Sequence, residues 1–217
     1  MKSHALVFLG APGAGKGTQA HKVAEAFGIP HISTGEILRQ AVASGSALGQ
    51  AAKEKMEAGE LVPDEVMCRI VADRIGQADC AKGFILDGFP RTVAQARFLD
   101  GLLDQGGQPL QVLNLQVKPE LLMKRLRGRR TCPVCGTTYN LELNPPARNS
   151  VCDRDGARLI ARADDNEEAI RHRLAAYERD TSPLIDYYKR RGVLHSVDGN
   201  RDPEAIAQEL VRFLRDA

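Results

Sequence analysis

A glycine-rich loop, GAPGAGKGT at positions 10–18, follows the apolar run ALVFL at 5–9 and opens the helical pattern KGTQAHKVAEAF. No other feature constrains the fold as strongly. A short, continuously apolar run is what a strand buried on both faces requires. The loop fits G-x-x-x-x-G-K with Gly10, Gly15 and Lys16. Its glycines let the backbone bend so that successive N–H groups point at phosphate oxygens. The following helix adds its positive end, and the lysine reaches the outer phosphates. The same letters also occur as a plain glycine turn, but between a buried strand and a helix they read as a phosphate loop. One residue departs from the general motif. A Ser or Thr directly after the lysine would bind Mg²⁺, whereas here Gly17 stands there and the hydroxyl comes one later, at Thr18. Metal must then lean on phosphate oxygens, water and a remote carboxylate. Asp87, which ends the apolar run GFILD at 83–87, is the candidate. The alternative is an Asp that merely opens the turn DGFP.

Further apolar runs lie at 111–117 (QVLNLQV), 193–197 (VLHSV) and, more weakly, 30–33 (PHIS), with helical periodicity between them. This alternation predicts an α/β domain with a parallel sheet. Two segments break the rhythm. Residues 34–62 are helical in pattern without a strand, and 128–165 are rich in Gly, Pro, Asn and Cys, as short turns and hairpins would be. Both read as insertions into a core formed by 1–33, 63–127 and 166–217. The chain of 217 residues carries a net charge of only +2, so no overall field points to nucleic acid or membrane. No apolar run approaches the ~20 residues that cross a bilayer. The first apolar stretch is too short for a signal-peptide core, which places the protein in the cytoplasm.

The five cysteines fall into two groups. Cys68 lies in a helical pattern and Cys80 in a loop, and neither suggests chemistry. Cys132, Cys135 and Cys152 with Asp155 spell C-x2-C-x16-C-x2-D. Paired knuckles at this separation read as a tetrahedral zinc site. Three thiolates and a carboxylate would close the shell, so the metal would be structural. The surrounding turns carry little apolar content, and metal binding can hold together a lobe that burial cannot. A redox pair at Cys132 and Cys135, or a metal-free lobe held by a polar network, are the competing readings.

A second anion site is suggested elsewhere. Ser33-x-x-Glu36 is a capping box that should start a helix, with Arg39 one turn in. Arg91 follows the strand that ends at Asp87, and Arg125, Arg129, Arg162 and Arg173 come later. Asp165-x-x-Glu168 reads as a second capping box, followed by the stripe Ile170, Leu174 and Tyr177. Each arginine alone is an ordinary solvated charge. Their placement at element ends beside phosphate-binding turns suits phosphoryl transfer, which needs in-line positioning and positive charge.

The motifs GAPGAGKGTQA, ISTGEILR, GELV, FILDGFPRTVAQA, GRR, RADDNEE and RHRL follow in order along essentially the whole chain, and together they resemble those of the adenylate kinases. The insertion at 128–165 resembles the long lid of that family's metal-containing branch. The resemblance implies a core with a five-stranded parallel sheet flanked by helices, a helical AMP-binding insertion at 34–62 and a zinc-knuckle lid. It implies transfer of the terminal phosphoryl group of Mg·ATP to AMP, giving two ADP, by a monomer. Carried over residue by residue, Gly13, Ala14, Gly15, Lys16, Gly17 and Thr18 would hold the ATP phosphates, and Arg125, Arg129, Thr138, Tyr139 and the backbone of Arg201 would meet ATP. Thr34, Arg39, Glu60, Leu61, Val62, Gly88, Phe89, Pro90, Arg91 and Gln95 would hold AMP. Arg162 and Arg173 would bridge AMP and the transition state, with Lys16, Arg91, Arg129 and Asp87 completing the catalytic set. The carboxamide of Gln95 can donate and accept at once along an adenine edge. The tight turn at 87–90 makes the Phe89–Pro90 bond a candidate for cis. The arginines of both insertions can converge on the loop only if the insertions fold over the core, so an open and a closed form are expected.

Two other readings compete: a kinase of the same fold acting on another monophosphate or using GTP as donor, and an ATP-dependent nucleic-acid-binding protein with a zinc ribbon. The latter needs a basic, aromatic-bearing surface, and aromatics are only 5% of this chain. Gln95 and Thr34 favour AMP in the former comparison.

Overall fold

The computed structural model describes residues 4–216. Residues 1–3 and 217, assigned above to the core, lie outside the described residues. The strands β1 (His4–Leu9), β2 (His31–Ser33), β3 (Gly83–Asp87), β4 (Leu110–Gln116) and β7 (Leu194–Asp198) form one five-stranded sheet in the order β2-β3-β1-β4-β7, and every pairing is parallel.

Side-chain alternation explains why the runs are apolar throughout. Ala5, Val7 and Leu9 enter one apolar cluster with Phe84, Leu86 and Val112. Leu6 and Phe8 enter the other, with Ile85, Leu113 and Leu115. β1, β3, β4 and β7 feed both faces, and helices cover both, as a parallel sheet requires. One face is covered in part by α4 (Asp64–Ile75), α5 (Val93–Gly106) and α8 (Pro183–Arg190). The other is covered by α1 (Lys16–Phe27), α6 (Pro119–Arg127) and α9 (Pro203–Asp216).

The register collects the strand ends. Phe8 pairs with Asp87, and Asp87 with Ser33. The loop after β1, the Asp87 carboxylate and the start of α2 (Thr34–Ala43) therefore share one edge of the sheet. The chain winds from β1 to β2 and β3 on one side, then crosses to β4 on the other. Ligands of open parallel sheets sit at such a switch point, outside the carboxyl ends of the strands.

Neither of the segments 34–62 and 128–165 contributes a strand to the five-stranded sheet. Residues 34–62 hold α2 and α3 (Ala47–Glu57). The second insertion holds the antiparallel pair β5 (Arg129–Thr131) and β6 (Thr138–Asn140), with isolated bridges such as Thr131 to Ile160. Its apolar cluster is small: Cys132, Tyr139, Cys152 and Leu159, with Ala157 against it. The Phe89–Pro90 bond is cis, as expected.

Two local expectations need correction. α7 (Glu167–Ala176) is capped by Asn166, whose side chain accepts from the Ala169 N–H, so Asp165 does not open a capping box. Asp165 is instead drawn to two arginines. Ser33 does precede α2, but its side chain makes no capping hydrogen bond. Downstream of α7 the stripe through Tyr177 does not continue as regular helix: Tyr177–Thr181 widens into a π-helical turn before α8. There the Thr181 hydroxyl donates to the Arg91 carbonyl at 2.9 Å, tying the turn to the loop after β3. Among the described residues no helix is long and apolar enough to cross a membrane.

Candidate active site

The loop after β1 curls as its glycines allow. At Gly10, with φ 140°, a β-carbon would stand 2.8 Å from the Leu115 carbonyl oxygen, so no larger residue fits. Lys16, the first residue of α1, turns its ammonium back to donate to the Gly10 and Ala11 carbonyls at 2.7 and 3.0 Å. Arg125 braces the loop from α6, donating to the carbonyls of Ala14 (3.2 Å) and Gly199 (2.9 Å). Gly17 now has a steric reason. A β-carbon there would lie 3.3 Å from Asp87 Oδ2, so the position that often bears a hydroxyl faces a carboxylate instead. Thr18 stands exposed on the first turn of α1.

Electrostatics mark this edge of the sheet. Burial lowers Lys16 to about 8; Asp87 opposes the shift, and Arg91, Arg173 and Arg129 add to it. Burial likewise depresses Arg39 and Arg91, and pushes Arg162 down to about 9, with Arg129 and Arg39 adding to the effect on Arg162. Asp87 titrates below its ordinary range: burial opposes ionisation, but His31, whose Nε2 lies 3.6 Å from Oδ2, and Lys16 outweigh it. The cations Lys16, Arg39, Arg91, Arg129, Arg162 and Arg173 outnumber the carboxylates Glu36, Asp87, Asp164 and Asp165 among them. Crowded, partly dehydrated positive charge is stable only beside counter-charge, so this cluster suits a polyanion.

The arginines come from distant segments. Arg129 (β5) donates through Nε to Asp165 Oδ2 at 2.7 Å and through a second nitrogen to Oδ1. Arg173 (α7) donates to the same Oδ1 at 2.9 Å and pairs with Asp164 at 3.0 Å. Arg162 lies across the lid strands, on the hydroxyls of Thr131 (3.0 Å) and Thr138 (3.3 Å). Arg91 is folded against its own turn, Nε to the Gly88 carbonyl at 2.8 Å. Asp164 and Asp165 were not recognised from sequence as partners of these arginines. The available signal was two adjacent acids, Asp164 and Asp165, one residue beyond Arg162 at the end of the lid.

The two insertions lie close together over the core. A β-carbon at Gly136, in the lid, would meet Glu36 Oε1 of α2 at 2.8 Å. The ring Nδ1 of His172 on α7 is 3.2 Å from the Ala58 carbonyl. Arg154 in the lid reaches His21 on α1 at 3.4 Å.

Other expected residues are dispersed. Thr34 is buried, its hydroxyl 3.4 Å from the Asp87 carbonyl. Phe89, Pro90 and Val62 are buried, and Leu61 is partly buried. The Glu60 side chain is exposed and paired with Lys55 at 2.6 Å. Arg201 extends to Glu209 of α9. The Tyr139 hydroxyl is turned into the lid, where it accepts from the Asp153 N–H at 2.9 Å. Gln95 on α5 is 2% exposed and donates to Asp64 Oδ1 at 2.7 Å.

The knuckle residues converge. One ligand atom from each of Cys132, Cys135, Cys152 and Asp155 can be chosen so that all lie within 4.8 Å of one another. Cys135 and Cys152 sulfurs are 3.5 Å apart, and Cys132 Sγ is 3.2 Å from Asp155 Oδ2. Zinc–sulfur bonds of about 2.3 Å in a tetrahedron place sulfurs about 3.8 Å apart, so the donor set fits such an ion. Backbone N–H groups of Val134 and Cys135 approach Cys132 Sγ at 3.4 Å, and Ala157 N–H donates to Asp155 Oδ1 at 2.9 Å. These are the outer contacts that orient metal ligands.

Comparison with known proteins agrees with this geometry. The adenylate kinase family profile matches residues 8–193. The chain is 52% identical to an adenylate kinase of Archaeoglobus fulgidus over 210 residues, covering 96% of this chain and 97% of that protein. It is 52% identical to the adenylate kinase of Bacillus subtilis, with the same coverage. For that of Thermodesulfovibrio yellowstonii the identity is 53%, covering 96% of this chain and 98% of the relative. A phosphate loop on a five-stranded parallel sheet, two insertions facing each other across half-buried arginines, and these matches over nearly its whole length mean that the chain belongs to the adenylate kinase family.

Proposed function

We propose that this chain catalyses reversible transfer of the terminal phosphoryl group of Mg·ATP to AMP, giving two ADP. The observation that carries this reading is the excess of half-buried cationic side chains gathered over the phosphate loop from the core and both insertions. Phosphoryl transfer asks little covalent help of a protein. It asks for in-line alignment and compensation of charge on the moving group.

In this reading residues 13–18 cradle the donor phosphates, and Lys16 leaves the Gly10 and Ala11 carbonyls to meet the outer ones. Arg129, Thr138, Tyr139 and the Arg201 backbone border the donor nucleotide, and Arg125 stiffens the loop beneath it. Arg39 and Arg91 receive the acceptor phosphate, with Thr34, residues 60–62 and 88–90, and Gln95 around the nucleoside. Arg162 and Arg173 stand between the two phosphate sites and steady charge as it shifts from donor to acceptor. Mg²⁺ carried by ATP would neutralise phosphate oxygens, and Asp87, beside Gly17, is the carboxylate able to hold its water shell. Zinc at Cys132, Cys135, Cys152 and Asp155 would fix the lid's fold.

Residues 34–62 act as the acceptor-side cover and 128–165 as the donor-side lid, on a core made by the rest. Closing both excludes water, which would otherwise accept the phosphoryl group. Every residue of the proposed site comes from one chain, which suits a monomer. Free Cys68 and Cys80 beside a thiolate metal site suit the reducing cytoplasm. The test is ADP formation from Mg·ATP with AMP, CMP, UMP and GMP offered in turn. The reading requires AMP to be preferred. A different favoured acceptor, or no ADP with any, overturns it.

A further inference from the structure

The Gln95 carboxamide is held by two partners that leave it only one orientation. Its Oε1 accepts from the Arg91 backbone N–H at 2.7 Å, and its Nε2 donates to Asp64 Oδ1 at 2.7 Å. A peptide N–H can only donate, and an ionised carboxylate can only accept. Rotating the amide by half a turn would set donor against donor at Arg91 and acceptor against acceptor at Asp64. Both groups would then be unpaired at a side chain that is 2% exposed, where unpaired polar atoms are costly. The Asp64 carboxylate is itself fixed. Its Oδ2 accepts from the Thr92 hydroxyl at 2.8 Å, and Thr92 caps α5 by accepting from the Gln95 N–H at 3.2 Å. Asp64 sits at the start of α4, 31 residues away in sequence.

An amide so held keeps one N–H and one oxygen lone pair for a ligand, in a fixed order. Adenine offers a matching pair: N1 accepts and the exocyclic N6 donates. A 6-oxopurine such as hypoxanthine or guanine reverses it, because O6 accepts and N1–H donates. To pair with a 6-oxopurine the amide must turn over, which the Asp64 carboxylate and the Arg91 N–H oppose. We propose that Asp64 is a positioning residue: by holding the Gln95 carboxamide in one orientation it selects adenine over 6-oxopurines in the acceptor monophosphate. This rests on the reading of Gln95 as the group that meets the acceptor base. The Arg91 half of the lock is backbone, so Asp64 is the half that mutation can open.

The experiment compares AMP, IMP and GMP as acceptors at saturating Mg·ATP for the wild type, Asp64→Ala, Asp64→Asn, Thr92→Val and Gln95→Ala, with melting temperatures recorded for each. Asp64→Ala is expected to raise the KM for AMP about tenfold and to lower the AMP-to-IMP ratio of kcat/KM by about tenfold or more, the scale of one unmatched polar contact. The KM for ATP should hold. Asp64→Asn keeps an oxygen for Gln95 Nε2 but can also turn an N–H toward it, so its ratio is expected between those of the wild type and Asp64→Ala. Thr92→Val removes the hydroxyl that steadies Asp64 Oδ2 and the cap of α5, but leaves the Asp64–Gln95 bond itself in place. It is expected to lower the melting temperature and to shift the ratio much less than Asp64→Ala does. Should Asp64→Ala not fold, Asp64→Ser, too short to reach Gln95, takes its place. The proposal is overturned if Asp64→Ala keeps the wild-type ratio while Gln95→Ala loses it, or if Thr92→Val shifts the ratio as far as Asp64→Ala. If Gln95→Ala also leaves the ratio unchanged, the reading of Gln95 falls, and this proposal with it. ADP formation by the wild type is unaffected by either result, so the proposed reaction is judged separately.

Discussion

Lys16 should take up a proton when nucleotide binds. Its ammonium is held near 8, below its ordinary 10.5, chiefly by burial. At pH 8 roughly half of the unliganded molecules then carry it neutral. A triphosphate seated on the loop brings negative charge within a few ångströms and favours the charged form. If the bound value rises by two units or more, Mg·ATP binding draws in about 0.1 proton at pH 7, about 0.5 at pH 8 and about 0.8 or more at pH 9. Above pH 8 each further unit weakens apparent ATP affinity by up to about tenfold, about 1.4 kcal/mol. The sign for stability runs the other way. Between about 8 and 10.5 the unfolded chain holds more protons on this lysine than the folded one, so the nucleotide-free protein gains stability from this group as pH rises through that window. The assay is titration calorimetry of Mg·ATP at pH 8 in two buffers of different ionisation enthalpy. Lys16→Arg keeps its charge at this pH and should abolish the uptake. Wild-type uptake below about 0.1 proton at pH 8, or equal uptake in Lys16→Arg, would refute the reasoning.

Three further outcomes are expected. Asp165, only 3% exposed in its side chain, receives both Arg129 and Arg173. Asp165→Ala strands two partly buried cations, and with Asp164 still pairing Arg173 the loss should fall at the lower end of about 3–5 kcal/mol. Calorimetry should show a melting point lower by at least about 6 °C, and kcat should fall with it; an unchanged melting point contradicts the pairing. Stripping metal from the Cys132, Cys135, Cys152 and Asp155 site is expected to lower the melting temperature more than it lowers turnover measured at low temperature. A metal-free protein of equal stability would remove the structural role. Because closure gathers arginines from both insertions, reopening should limit turnover, and quenched-flow mixing should show a burst of ADP before the steady rate. Chemistry as slow as turnover, with no burst, would contradict that order of steps.

Much of the core could be read directly from residue patterns because it depends on short-range physics. GFILD becomes β3 without a residue's difference, since an apolar run between turn residues has one buried, extended solution. The phosphate loop and the knuckles were equally legible, because their spacing is their chemistry. What escaped was set by long-range pairing. Asp165 carries a capping signature, yet Arg129, 36 residues earlier, and Arg173 take its oxygens, and Asn166 caps α7 instead. The regular period through Tyr177 gives no hint of the wide turn that follows. That turn lets Thr181 reach the Arg91 carbonyl 90 positions away. The Gln95 type was informative alone, but the orientation of its amide depends on Asp64, brought to it only by the packing of α4 on α5.

The lid's apolar cluster shares no residue with the two clusters that sandwich the sheet. Cys132 and Cys152 belong to it, so two of the four candidate metal ligands are also part of the hydrophobic packing of this lobe. A lobe of that kind can lose its order alone, as a separate cooperative unit. Its amides should exchange with solvent long before those of β1 and β4, and proteolytic nicking should begin there while the sheet stays whole. The temperature at which catalysis fails and the temperature at which the core melts are then two separately adjustable quantities. Substitutions confined to the knuckles can move the first while the second stays where the sheet sets it.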